Sequence, residues 1–208
     1  MSPIEKRILE ISYKNKLSHI GSCLTAAPIV EEIYKQKKSD EKFVLSSGHA
    51  GLALYCVLEA MGGRNAEEIF IHHGVHPDRC AECHIDCSTG SLGQGICIAL
   101  GMALADRKKN VYCLISDGEC SEGSIFEALR IMRENNIHNL QIHVNVNQWG
   151  AYKKIDGFKI NGDLDRYNFF GEKHHITYHW TQVDNFPFLK DQAGHYHILT
   201  KEEYESIK

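Results

Sequence analysis

Two strand-like segments, separated by a turn and an amphipathic stretch, constrain the fold more than any other feature of the chain. Residues 111–115 (Val-Tyr-Cys-Leu-Ile) form an unbroken apolar run, which is typical of a strand buried on both faces. A turn at Asp117-Gly118, a helical pattern from Ile125 to Met132 and a second strand over 140–146 follow. This order predicts a right-handed βαβ unit. We therefore expect an α/β protein with a parallel sheet and helices on both faces.

Helical patterns precede and follow this unit. Ser2, Pro3 and Glu5 predict a capped helix at the N-terminus. Thr25 is expected to cap a second helix, which carries Ile29 and Ile33 on its apolar side. We expect the remaining elements to be helices at about 49–62, from Asn65, over 92–107 and from Thr200, and a late strand over 176–180. The length of 208 residues corresponds to one domain, so 1–208 is expected to fold as a single unit.

Composition excludes several classes of protein. The formal net charge of -4 gives no general field for nucleic acid or an anionic membrane surface. No apolar run approaches the length needed to cross a bilayer, and the first residues lack the apolar core of a signal peptide. Eight cysteines without an export signal favour reduced thiols or a metal over disulfides. We expect a cytoplasmic protein that binds neither nucleic acid nor membrane.

Polar residues follow both strands of the βαβ unit. Asp117 and Asn147 stand at the carboxyl ends of neighbouring parallel strands, where ligands of such sheets bind. Their side-chain oxygens, with the carbonyl oxygen of Trp149, are the ligands that Mg²⁺ or Ca²⁺ prefers, and such an ion would neutralise a bound diphosphate. Gly118 would let the backbone approach that diphosphate closely. The alternative is an ordinary turn at a strand end, where Asp-Gly is common.

Longer motifs carry a resemblance to a known family. They are 18–27 (Ser-His-Ile-Gly-Ser-Cys-Leu-Thr-Ala-Ala), 43–50 (Phe-Val-Leu-Ser-Ser-Gly-His-Ala), His76-Pro-Asp, 88–95 (Ser-Thr-Gly-Ser-Leu-Gly-Gln-Gly) and 116–123 (Ser-Asp-Gly-Glu-Cys-Ser-Glu-Gly), closed by Asn147. Together, and in this order, they resemble the N-terminal, thiamine-diphosphate-binding half of transketolase. The resemblance implies the thiamine-diphosphate-binding fold, with only the diphosphate-binding domain present, and it extends to about residue 152.

The resemblance also implies roles for individual residues. His49 would contact the diphosphate, and Gly118 and Glu119 belong to the same cofactor-binding motif. Gly90 and Leu92 would lie near the aminopyrimidine. The metal would be bound by Asp117, Asn147 and the Trp149 carbonyl. The residues expected to face the sugar and assist proton transfer are His19, His76 and His195, with His197 as the alternative to His195.

The chain departs from the family pattern after about residue 152. The stretch from Tyr152 to Ile176 is compressed, and the Lys-Gly-Lys element expected after Thr181 is missing. The pyrimidine-binding domain, with the glutamate that activates the cofactor, has no counterpart in the sequence. The resemblance therefore implies a split transketolase that moves a two-carbon ketol unit from a ketose, such as a sugar phosphate, to an aldose. A second, pyrimidine-binding subunit would complete it as a heterotetramer, with Glu122 at the interface.

Two alternatives to this function remain open at this point. One is another thiamine-diphosphate enzyme, of the 2-oxo acid dehydrogenase or deoxyxylulose-phosphate synthase type, and the other is a catalytically degenerate scaffold. The loop rich in histidine and cysteine is also open to two interpretations. Cys80, Cys83 and Cys87 have a spacing found at zinc sites, with His72, His73, His76 and His84 nearby. They would otherwise be scattered reduced thiols.

Overall fold

The computed structural model describes residues 1–170 and 173–207 and contains one parallel sheet. The strands are β1 (Lys42–Leu45), β2 (Val111–Ser116), β3 (Leu140–Val146), β4 (Phe169–Phe170), β5 (Lys173–His174) and β6 (Ile176–Trp180). Strands β1, β2, β3 and β6 lie side by side in that order, and each neighbouring pair is parallel. Strands β4 and β5 form a separate antiparallel pair.

Helices surround the four-stranded sheet. They are α1 (Pro3–Asn15), α2 (Ile20–Gln36), α3 (Gly51–Ala60), α4 (Ala66–His73), α5 (Gln94–Ala105), α6 (Gly123–Glu134), α7 (Gly157–Asn168) and α8 (Lys201–Ser206). Short 3₁₀ segments lie at 48–50, 118–121, 187–189 and 192–196. Within the residues that the structure describes, no helix has both the length and the apolar character needed to cross a bilayer.

Strand β2 buries both of its faces, as the apolar run at 111–115 predicts. Tyr112 and Leu114 belong to a core cluster with helices α1 to α4. Val111, Cys113 and Ile115 point the other way, into a second cluster with α5, α6 and α7. Because side chains alternate along a strand, a strand covered on both faces favours apolar residues at successive positions. The predicted parallel sheet with helices on both faces is confirmed.

The local predictions have mixed outcomes. The capping boxes at Ser2 with Glu5 and at Thr200 with Glu203 are present. Thr25, however, does not cap a helix. Helix α2 begins at Ile20, one residue after His19, and the Thr25 hydroxyl donates to the Gly21 carbonyl inside it. The prediction was wrong because a capping residue type also occurs within helices, where its hydroxyl bonds the preceding turn.

Strand β1 and helix α7 were not predicted. Strand β1 has only four residues, its first is the exposed Lys42, and it is paired through the whole of its length with β2. Helix α7 lies in the compressed stretch, and its residues Gly157 to Asn168 include two glycines and few strong helix formers. Tertiary contacts rather than sequence preference account for both elements. Strand β1 pairs with β2, and α7 packs against α6 and β6.

Helix α5 approaches the end of β1 so closely that a glycine is required at the contact. A Cβ atom on Gly95 would lie 2.5 Å from the Cα of Ser46, which is backbone and cannot rotate away. Gly101, on the same helix, has nothing within 4 Å of the equivalent position. Packing therefore requires glycine at position 95 but not at position 101.

We expect Gly95→Ala to lower the free energy of unfolding by about 1–3 kcal/mol, because the added methyl group displaces backbone. Gly101→Ala should raise it by up to about 1 kcal/mol, because alanine has the higher helix propensity. Urea unfolding of the purified chain, followed by circular dichroism, measures both. Equal effects of the two substitutions would contradict the close approach of α5 to Ser46.

Candidate active site

A cavity of about 200 Å³ opens at the carboxyl ends of β2 and β3. It is bounded by the start of α2, the 3₁₀ segment at 48–50, and the loops that follow the two strands. Many of the residues expected at the site line it, namely His19, His49, His76, Leu92, Gly118, Asn147, Trp149 and His195. The fold thus brings together residues that are far apart in the sequence.

Three of the histidines form a contiguous cluster. The ring of His19 lies 5.4 Å from that of His49 and 4.8 Å from that of His195, measured between centroids. The backbone N–H of His19 donates to the His195 carbonyl at 3.2 Å. His19 has a left-handed backbone (φ 58) immediately before α2, a conformation that histidine adopts more readily than most residues. The start of α2 and the C-terminal segment therefore meet at the cavity.

Burial keeps this cluster neutral. Desolvation, with a smaller contribution from the neighbouring histidines, lowers the pKa of His19 to about 4 and that of His49 to about 3. Desolvation also lowers the pKa of His195. Neutral imidazoles can both donate and accept hydrogen bonds, which is the property needed to bind hydroxyl groups and move protons between them.

Hydrogen bonds join the two loops expected to bind metal, which follow β2 and β3. Asp117 is fully buried, and its Oδ1 accepts from the Gly118 N–H at 2.8 Å and its Oδ2 from the Gln148 N–H at 2.6 Å. The Asn147 Oδ1 accepts from the Trp149 N–H at 3.0 Å. Burial raises the pKa of Asp117 to about 7, although these backbone donors oppose the rise. Among the described residues, no cation is paired with this carboxylate.

Thr25 has a place in the site that sequence reasoning missed. Its hydroxyl accepts from the Asn145 side-chain amide at 3.0 Å and from that of Asn147 at 3.4 Å. The Oδ1 of Asn145 in turn accepts from the Thr181 hydroxyl at 2.5 Å. Asn145 is buried on β3, two residues before Asn147, so a polar side chain two positions before the expected metal ligand, and therefore on the same side of the chain, was the available signal.

Glu119 lies near the site but does not line the cavity. Its carboxylate is fully buried, accepting from the Ser46 hydroxyl at 2.6 Å and from the Gly93 N–H at 3.0 Å through Oε1. Its Oε2 accepts from the Ser116 N–H at 2.9 Å. Glu119 therefore connects the ends of β1 and β2 to the start of α5. Gly90 lies against the His76 ring, where a Cβ would come within 3.3 Å of it.

The structure also separates His195 from His197. His195 lines the cavity, whereas the Nε2 of His197 lies 2.8 Å from Glu203 in the capping box of α8. Glu122 is half-buried at the start of α6, and its Cβ is close to Gly93. A second cavity of about 230 Å³ adjoins the first, shares Ser22, Asn147 and His195 with it, and extends along residues 182–191.

The parallel sheet and the cavity at its strand ends define this chain as an α/β protein with a cavity at the carboxyl edge, where ligands of such sheets bind. The family described as "Transketolase, thiamine diphosphate binding domain" matches residues 6–184, and the chain belongs to this family. The expected resemblance is confirmed, and it favours transketolase over the other thiamine-diphosphate enzymes.

Relatives include a protein of Phocaeicola vulgatus that is named as one subunit of an apulose-4-phosphate transketolase and is 34% identical over 190 residues. That match covers 80% of this chain and 66% of the relative. Human transketolase is 33% identical over 152 residues, covering 64% of this chain and 24% of the human protein. The chain therefore spans about two thirds of the bacterial relative and about a quarter of the human one.

Solved structures agree on the fold. Transketolase from Pichia stipitis, in complex with sedoheptulose 7-phosphate, aligns with a TM-score of 0.66 at 21% identity, covering 84% of this chain and 35% of the other. Transketolase from Leishmania mexicana aligns with a TM-score of 0.61 at 21% identity, covering 88% of this chain and 36% of the other. At this identity the likeness supports the fold alone.

The neutral histidines predict a pH dependence. Between pH 6.5 and about 4 the unfolded chain binds protons at His19 and His49, while the folded chain does not. Their contribution to the free energy of unfolding is therefore present above pH 6.5 and falls as the pH is lowered through this window.

Imidazole resonances followed by NMR measure this directly. We expect the rings of His19 and His49 to stay neutral at about pH 5.5 in the folded chain and to titrate near 6.5 in urea. Titration of either ring near 6.5 in the folded protein would show that the cluster is open to water.

Proposed function

We propose that this chain is the diphosphate-binding subunit of a split transketolase, transferring a two-carbon ketol unit from a ketose phosphate to an aldose. The observation that carries the proposal is the convergence of four histidines with the Asp117 and Asn147 loops on one cavity, in a member of the thiamine-diphosphate-binding family. The relative that is named as one subunit of a transketolase supports the division into two chains. We propose further that residues 1–208 act as one domain.

The residues present fit a divalent cation and the diphosphate that it would neutralise. Asp117 is a buried carboxylate without a paired cation among the described residues, and its partners there are backbone N–H groups, which leave its negative charge uncompensated. Asn147 and the carbonyl of Trp149 offer neutral oxygens on the adjoining loop. Such an oxygen set suits Mg²⁺, or Ca²⁺ with a looser geometry. We assign the metal to these three residues.

The diphosphate and the ring system of the cofactor have separate candidate contacts. His49 and the Gly118 backbone line the cavity and would contact the diphosphate. Gly90 lies against the His76 ring and Leu92 lines the cavity, and both would border the aminopyrimidine. Glu119 would act without touching the cofactor, by fixing the backbone of Gly93 and Ser116. When bound, thiamine diphosphate supplies the nucleophilic carbon and the electron sink for the ketose.

The remaining histidines would handle the sugar. His19 and His195 are neutral and adjacent, so one can donate to a hydroxyl while the other accepts. His76 lines the same cavity from its own loop and is exposed to solvent in the isolated chain. These three side chains would bind sugar hydroxyls and hold or move protons at the carbonyl and hydroxyl oxygens.

An uncharged helix face supports a second subunit. Helix α5 contains no acidic or basic residue, yet one side of it is exposed along its full length. The exposed residues are Gln94, Cys97, Gly101, Leu104 and Ala105. The neighbouring α6, by contrast, exposes the charged residues Glu127, Arg130 and Glu134. Uncharged, partly apolar surfaces of this kind are typical of the centre of an interface.

We propose that a pyrimidine-binding subunit covers this α5 face and the adjoining Glu122, and that two copies of each chain form a symmetric heterotetramer. The interface would bury roughly 2,000 Å² or more. Eight free cysteines suit a cytoplasmic location, which we propose for the assembly.

Metal-dependent cofactor binding tests the Asp117 assignment. In the assembled enzyme, Asp117→Ala should weaken thiamine diphosphate at least about tenfold, because a charged metal ligand is lost. Asp40→Ala, which removes an exposed carboxylate from a surface ion pair, should leave the affinity unchanged. Calorimetry with Mg²⁺, and again with EDTA, measures both. Equal affinities of the wild type and Asp117→Ala would refute the metal site.

Reconstitution tests the function itself. The chain alone should show no ketol transfer from a panel of ketose phosphates, and activity should appear when a pyrimidine-binding chain from the same organism is added. Leu104→Lys should abolish association, because it places a charge in the α5 face. Gln36→Lys adds the same charge at an exposed position of α2 and should have no effect.

Gel filtration and a coupled transfer assay measure association and activity separately. Full turnover by the lone chain would overturn the split-enzyme proposal, and so would a complex that forms equally well with Leu104→Lys.

A further inference from the structure

The structure brings together three soft metal ligands outside the cavity described above. We propose that His73, Cys80 and Cys83 form a Zn²⁺ site. Their ligand atoms all lie within 4.8 Å of one another, as the imidazole of the last residue of α4 meets the thiols of the following loop. With Zn–S bonds of about 2.3 Å and Zn–N bonds of about 2.0–2.1 Å, tetrahedral ligands stand about 3.4–3.8 Å apart. Small side-chain rotations would close the site around one ion.

The two cysteines lie on a short hairpin that already orients them. Cys80 and Ile85 form an antiparallel bridge, each N–H donating to the other's carbonyl at 2.9 Å. The Cys83 N–H donates to the Cys80 Sγ at 3.3 Å across the turn. Zinc binds cysteine as the thiolate, so binding would release the two thiol protons. The turn therefore holds the two sulfur atoms close to each other before any ion binds.

His73 provides an independent indication. Its Nε2 is buried and has no hydrogen-bond partner among the described residues. An unsatisfied buried nitrogen destabilises the fold unless a ligand occupies its lone pair or accepts its proton. A metal ion held by His73 and the two thiolates would account for the ring's position at the end of α4.

The structure also selects among the ligands that the sequence offered. Cys87 is buried, and its thiol donates to the Ser88 carbonyl at 3.2 Å, so it is not in the cluster. Three protein ligands leave a fourth position, which we place toward a cavity of about 200 Å³ beside Cys83. Water or His72, which lines that cavity, would complete the tetrahedron.

The charge at the site is balanced. Two thiolates and a neutral imidazole cancel the charge of Zn²⁺, so the Arg64 guanidinium, 3.9 Å from the Cys83 Sγ, would not be repelled by the complex. The Arg64 guanidinium would instead donate a hydrogen bond to the Cys83 thiolate, which keeps lone pairs free when it binds zinc.

The position of the site suggests its purpose. Its ligands bracket the loop 74–79, with His73 before it and Cys80 after it, and this loop carries His76 to the cavity at the strand ends. The ion would therefore join α4 to the hairpin and limit the motion of the loop. This role of His76 rests on the proposed function, whereas the metal site itself does not.

Metal analysis of the untagged chain, loaded with Zn²⁺ and purified under a reducing phosphine, tests the site. We expect about one zinc per chain in the wild type. Cys80→Ser and Cys83→Ser should lose it, with affinity falling at least about 100-fold. Cys87→Ser and Cys97→Ser remove thiols outside the cluster and should retain it.

Cobalt substitution gives a readout that needs neither activity nor a partner. Co²⁺ bound here should show a thiolate charge-transfer band and tetrahedral visible bands, which Co²⁺ on the oxygen ligands at Asp117 would lack. His73→Gln, with the thiols intact, should alter the visible bands and weaken binding even if a cysteine variant fails to fold.

Three results would overturn the proposal. One is a reduced wild-type chain without zinc after loading. The second is equal zinc content in the wild type and in a folded Cys83→Ser variant. The third is a Cys80–Cys83 disulfide in protein freshly purified without reductant, seen as a mass two hydrogen atoms lower, which would make the pair a redox couple instead.

Discussion

The buried carboxylate of Glu119 holds together the parts of the chain on which the cavity is built. It receives hydrogen bonds from the end of β1 at Ser46, the end of β2 at Ser116 and the start of α5 at Gly93. Burial raises its pKa, and these donors oppose that rise. Removing the carboxylate would leave several donors unsatisfied in the interior, which is costly. The hydrogen bonds to Glu119 therefore hold in place the ends of β1 and β2, which form the floor of the cavity.

A second polar connection runs from helix to strand. The Thr25 hydroxyl of α2 accepts hydrogen bonds from the side chains of Asn145 and Asn147. The Asn145 side chain in turn accepts one from Thr181, which follows β6. The same helix begins beside His19, whose backbone contacts the segment carrying His195. Helix α2 therefore links the histidine cluster to the loop of Asn147. Any shift of this helix against the sheet would move both at once, which couples the histidines proposed to face the sugar to the expected metal ligands.

The parallel sheet could be predicted because β2 carries an unbroken apolar run and β3 alternates apolar and polar residues over seven positions, whereas β1 could not because four residues give no periodicity. The position of Asp117 beside Asn147 followed from the geometry of parallel strands. The histidines came from the resemblance alone, since no rule of spacing joins His19, His49 and His195. His195 and His197 were indistinguishable because only tertiary contacts separate them. Cys87 fitted the zinc spacing equally well, but its thiol is turned into the core.

The histidines of the cavity are desolvated, yet one side of the same cavity is open to solvent. His19 and His49 stay neutral because they are desolvated, but Leu92 is 38% exposed at the boundary of the same cavity and His76 is exposed as well. In the proposed reaction, exclusion of water would strengthen the hydrogen bonds between these imidazoles and a sugar. Leu92 lies on an open side of the cavity, next to the uncharged face of α5. The surface that the proposed reaction would need covered is therefore continuous with the surface whose composition fits burial, and one partner could satisfy both requirements.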